Sequence, residues 1–142
     1  MGDTNNYDKV VYDRSASTLR IHGIVSIVFG AIGVFFAMLA TIIIAISTTA
    51  ETSMNGYDAT YPLFIVGLIV FIFWTLPHLY FIVAGLYLLG EPAPKVARTL
   101  IIINLVIGVF WNLILLVLAI INLAEFSNYE RGYDAHRKQV SK

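Results

Sequence analysis

A chain of 142 residues with 58% hydrophobic and only 13% charged residues departs from water-soluble domains, where about a quarter of the residues are charged. With mean hydropathy at +0.80, a bilayer is the expected solvent. Zero net charge offers no basic field for nucleic acid, and the lack of cysteine removes disulfides, thiolate metal sites and thiol nucleophiles.

Residues 1–20 read as a polar N-terminal tail. Gly2 is no myristoylation signal, because position 6 is Asn6 where that pattern wants Ser or Thr. "YDK" at 7–9 is echoed by "YDR" at 12–14, and "GYDA" occurs at 56–59 and 132–135. Tyrosine suits the membrane interface and aspartate suits turns, so these pairs predict interfacial turns.

Three apolar runs follow, 21–48, 62–90 and 96–124, with Arg98 their only Asp, Glu, Lys or Arg. About 20 helical residues cross a hydrocarbon core of about 30 Å, so each run predicts a spanning helix. The first is too long for a signal-peptide core of about 7–15 residues and reads as a signal-anchor. Within it Gly23, Ser26, Gly30, Gly33, Ala37 and Ala40 recur at alternating spacings of three and four. In lipid, helices associate through close backbone approach at small residues. The stripe therefore predicts a helix-packing or partner-contact seam, crossing at about +20°.

The segment 49–61 reads as a loop with a turn at Asn55-Gly56, and Pro62 suits the first turn of the next helix. In the second run Pro77 removes the N–H that would bond to Phe73, which predicts a kink, with Thr75 able to satisfy the freed backbone. His78 lies near mid-run, where an ionisable group is a functional-site hypothesis. "EPAP" at 91–94 is a short break. The third run carries Asn104, Gly108 and Asn112 at i, i+4 and i+8, with amides that need partners in hydrocarbon. His78, Asn104 and Asn112 form the candidate intramembrane polar site, read either as interhelical hydrogen bonding or as the lining of a path. His22 and His136 lie elsewhere, so the histidines suggest no metal set. Residues 125–142 read as a polar C-terminal tail, helical at first and then frayed.

The expected architecture is all-α and integral to the membrane: a tail at 1–20, a transmembrane domain at 21–124, and a tail at 125–142. Three transmembrane helices, the second kinked at Pro77, leave five basic residues inside and four outside when the N-terminus is cytoplasmic. The alternative, a second run broken at Pro77 into a re-entrant or four-helix arrangement, leaves seven inside and two outside. Its half-helices of about 20 Å are short for the core.

Residues 19–123 include "LRIHG" before a glycine-rich first span, and "AGLYLLGEPAPKVARTLIIINLVIG", where a span ends at Gly90 and "AR" opens the next. In this the chain resembles small bacterial multi-span membrane proteins of uncharacterised families. The resemblance implies a bacterial membrane origin and carries no activity.

No convergent acid, base and nucleophile is visible, no glycine-rich phosphate loop, and no cofactor or metal site. The expectation is a non-enzymatic accessory or scaffold subunit of a larger complex in the cell membrane, with the N-terminus cytoplasmic. Its partners are the lipid bilayer and a larger membrane protein or further copies of itself, with no nucleic acid. The alternative is a homo-oligomeric channel or small transporter with a polar path near His78, Asn104 and Asn112.

Overall fold

The structure is a computed structural model that describes residues 3–55 and 60–140, with side chains for 9–47 and 64–135. Four helices follow in order: α1 (Asp3–Asn55), α2 (Thr60–Leu89), α3 (Pro94–Trp111) and α4 (Leu113–Val140). All four are long and apolar enough to cross a membrane, so the chain is an all-α, multi-span membrane protein. Helix α1 continues to Asn55, through half of the expected loop. The turn at Asn55-Gly56 and the first "GYDA" fall on or run into 56–59, outside the described residues.

Helix α2 runs unbroken through Pro77. The chain folds back instead inside the third run, at Asn112, so the single helix expected over 96–124 is two. Asn112 has extended backbone, φ −157° and ψ 103°, yet ends one helix and starts the next. Its N–H donates to the Gly108 carbonyl at 3.0 Å, and its carbonyl accepts from the Leu116 N–H at 3.0 Å. Its side-chain Oδ1 accepts from the N–H groups of Ile114 and Leu115 at 3.0 and 3.2 Å, which is an N-cap. The chain then returns alongside itself: a Cβ placed on Gly108 would lie 2.9 Å from the Leu116 nitrogen. Asn104 and Asn122, about 27 Å apart along a straight helix, both reach the ring of His22. Asn112→Ala is expected to lower stability by about 1 kcal/mol through loss of the cap, and Asn112→Asp to retain most of it. Thermal unfolding in detergent checks both.

The chain divides into two compact units, Met1–Ile27 with Val83–Lys142, and Val28–Ile82. In the first, the expected tails are helical over 3–20 and 125–140, and side chains within 9–20 and 125–135 are packed. Tyr12, Ala16 and Leu19 on α1 recur at i, i+4 and i+7 and share a buried cluster with Ala119, Phe126 and Tyr129 on α4, Leu88 on α2, and Ala97 and Ile101 on α3. Tyr12 stacks on Tyr129 with ring centroids 5.7 Å apart. The Tyr-Asp pairs at 7–8, 12–13 and 133–134 therefore lie within helices, where turns were expected. Gly23 on α1 meets Gly85 on α2: a Cβ on Gly23 would sit 2.8 Å from the Gly85 carbonyl oxygen, and one on Gly85 2.5 Å from that of Gly23.

The second unit contains the rest of α1 and the first part of α2. Gly30 lies against the His78 carbonyl and Gly33 against the His78 ring. Thr75 Oγ1 is buried and makes no hydrogen bond, so it does not satisfy the backbone at Pro77 as expected.

Candidate functional site

The polar centre of the first unit is His22, whose ring is fully buried. Helix α1 presents it one position before Gly23, where small residues bring the backbones together. Asn122 Nδ2 lies 3.1 Å from His22 Nδ1 and also donates to the Leu118 carbonyl at 2.8 Å. That second bond fixes the Asn122 amide, so Nδ1 of His22 is the acceptor and carries no proton. The ring proton is then on Nε2. Asn104 faces Nε2 at 3.1 Å and must present its oxygen there, because a neutral imidazole accepts at one nitrogen only. Rotating that amide leaves Nδ2, in place of Oδ1, as the buried amide atom without a protein partner. Ser26, one turn after His22, is fully buried too, and its hydroxyl lacks a protein partner.

The residues singled out in the sequence have separate engagements. Asn104 serves His22, and Asn112 is consumed as the cap of α4. His78, 9% exposed, donates from Nδ1 to the carbonyl of Trp74 on its own helix at 2.7 Å, where an amide of the third run was one expected partner. Its ring stacks on Trp74, with centroids 5.7 Å apart, and meets the Phe81 ring edge-on. Along the seam Gly23, Ser26, Gly30, Gly33 and Ala37 are buried, while Ala40 is exposed. Sequence reasoning missed His22 as a hub, although it lies one turn before Ser26 on the same face. Among the described residues, no three His, Asp or Glu side chains come together to hold a metal ion.

A second cluster sits where α2 passes to α3. Glu91 has φ +50°, a left-handed conformation that costs a non-glycine residue about 1–2 kcal/mol. Its carboxylate accepts from the Tyr12 hydroxyl at 3.1 Å and pairs with Arg20, and these contacts offset the strain. Tyr129 adds a 2.8 Å bond to the Pro92 carbonyl. The α2–α3 link is thus tied to both α1 and α4. Glu91→Gly would relieve the backbone but lose both side-chain contacts, and it is expected to destabilise by about 1–2 kcal/mol net, read as a lowered melting temperature in detergent.

No protein-family model, curated protein or solved structure matches the chain.

Proposed function

We propose that the chain crosses the membrane four times, with both termini and the α2–α3 link on the cytoplasmic side. In this reading it is a non-catalytic accessory or scaffold subunit of a larger complex in the cell membrane. The observation that carries the topology is the distribution of basic residues. All nine lie at 9–20, 95–98 or 131–142, with none at 21–94 or 99–130. With a crossing on each side of Asn112, every Lys and Arg falls on one face, as the positive-inside rule asks. Helix α3, with 18 residues, is about 27 Å long and close to the core thickness.

The subunit reading is supported by the second unit. There α1 and α2 frame an apolar cavity of about 460 Å³ bordered by Ala37, Ala40, Thr41, Ile44, Gly67 and Trp74. Gly30 and Gly33 are occupied within the chain, which leaves Ala40 and Gly67 as the small residues over which a partner helix fits. The channel reading relied on His78, Asn104 and Asn112 as a strip, and each of these is committed to a different partner: the Trp74 carbonyl, His22 and the first turn of α4.

Topology is tested with Tyr57→Cys and Gln139→Cys in a chain without other thiols. Position 57 should label from the outer face and position 139 from the cytoplasmic face; labelling of both from one face rejects four crossings. For the subunit reading, purification in mild detergent should bring down a larger protein at fixed stoichiometry. Ala40→Trp or Gly67→Trp should release it without unfolding the chain. A homogeneous self-oligomer that ignores both substitutions would favour the channel.

A further inference from the structure

We propose that the cavity between the polar ends of α1 and α4 binds a phosphate group, gripped by Arg14 and Arg131. The cavity measures about 330 Å³ and is lined by Arg14, Ser15, Glu125, Asn128, Arg131 and Gly132. Gly132 sets its geometry: a Cβ there would collide with the side chain of Tyr12, so α4 approaches α1 closely just beside it. The two arginines come from different helices, and most of their hydrogen-bonding capacity is unspent. Arg14 has a side chain 80% exposed and one ionic contact, to Glu125 at 3.9 Å, which is long and worth little. Arg131 donates from Nε to the Ser127 carbonyl at 3.3 Å and from one Nη to Asn128 Oδ1 at 2.8 Å. Those two bonds orient the guanidinium and leave its other donors available.

Because Asn128 Oδ1 accepts from Arg131, its Nδ2 remains a donor with no protein partner among the described residues. The Ser15 hydroxyl proton goes to the Val11 carbonyl at 3.0 Å, so Ser15 forms wall and not grip. Among the described residues Glu125 is the one carboxylate in the lining, and it accepts from Thr18 at 3.4 Å besides facing Arg14. Two guanidinium groups, one amide donor and one carboxylate leave a net positive lining rich in N–H donors. Planar guanidinium forks match the oxygen spacing of phosphate, which a lone carboxylate does not outweigh.

Depth points to the source of the phosphate. Helix α4 starts its crossing at Leu113, and about 20 residues are needed to pass a core of about 30 Å, so Arg131 reaches the boundary between hydrocarbon and headgroups, with Arg14 beside it across the cavity. A phospholipid phosphodiester is the nearest supply, and a soluble phosphate offers the same chemistry. The depth rests on the apolar runs as membrane spans; the grip of the arginines does not.

The test is native mass spectrometry of the detergent-solubilised full chain titrated with phosphatidylglycerol, with diacylglycerol of the same acyl chains, and with inorganic phosphate as competitor. The expected result is one phosphatidylglycerol retained per chain and no diacylglycerol. In the double variant Arg14→Gln with Arg131→Gln, retention should fall at least tenfold with the helical circular dichroism unchanged. Glu125→Gln should raise retention. Displacement of the lipid by millimolar inorganic phosphate would assign the site to a soluble phosphate, and resistance to it would assign the lipid. Lys95→Gln with Arg98→Gln removes the same charge elsewhere and should change nothing. Equal loss in that control, equal retention of diacylglycerol, full retention in the Arg14/Arg131 double variant, or no retention of phosphatidylglycerol at all would overturn the proposal.

Discussion

Leucine at Gly23 or Gly85 is expected to destabilise the first unit by about 3 kcal/mol, the upper range for overpacking a close contact. Each glycine faces the other's backbone: the Cβ positions fall 2.8 and 2.5 Å from carbonyl oxygens, and backbone in a hydrogen-bonded helix has no rotamer by which to yield. Even alanine should be costly there. Gly33→Ala provides the contrast. The added methyl would overlap the His78 imidazole, a side chain that can swing away at the expense of its bond to Trp74. Gly33→Ala should therefore cost less than Gly23→Ala, by about 1 kcal/mol, the worth of one hydrogen bond against a backbone clash. Thermal unfolding of the purified variants ranks them. If Gly23→Leu and Gly85→Leu melt like the parent chain, the two helices do not meet at these glycines.

The membrane class and the α-helical content are legible in composition and run length, because about 20 apolar residues in a row answer to bilayer thickness alone. The seam on α1 is legible for a similar reason: small residues at alternating spacings of three and four share one face. What the residues do not say is where that face is spent. Gly23 meets Gly85 of the same chain, so the stripe does not by itself require a second protein.

Asn112 is harder. Flanked by apolar residues, it reads as a buried amide in need of a partner. The alternative, that its carbonyl oxygen caps the two N–H groups after it, has no signature in the neighbouring Leu113, Ile114 and Leu115. The arrangement of basic residues is the signal that would have located it. A break at Pro77 leaves Lys95 and Arg98 on the far side, while a break in the third run leaves none. The tails were opaque because Asp13, Arg14 and Arg20 dilute the apolar stripe of Tyr12, Ala16 and Leu19 in any window average, whereas the stripe itself has helical period. The His22 centre follows from the fold-back. Asn104 and Asn122 lie on one continuous apolar run, and only a return of the chain at Asn112 lets both reach one ring.

His22→Leu is expected to destabilise the chain by about 2–4 kcal/mol, the cost of leaving two buried amides without their partner, reduced because hydrogen bonds between membrane helices are individually modest. Asn104 is fully buried and Asn122 4% exposed, so water does not replace the imidazole. His22→Gln keeps one donor and one acceptor and should lose less than half as much. The triple variant His22→Leu, Asn104→Leu and Asn122→Leu strands nothing, and it should recover most of the stability lost by His22→Leu alone. A purely steric role for His22 would give no such recovery. The hydrogen-bond pattern adds an independent readout. Because Asn122 donates to both the Leu118 carbonyl and His22 Nδ1, nitrogen-15 spectra of histidine-labelled protein should place the His22 ring proton on Nε2. A ring protonated on Nδ1, or a His22→Leu variant as stable as the parent, would remove the amide–imidazole–amide chain from the account of how α1, α3 and α4 are held together.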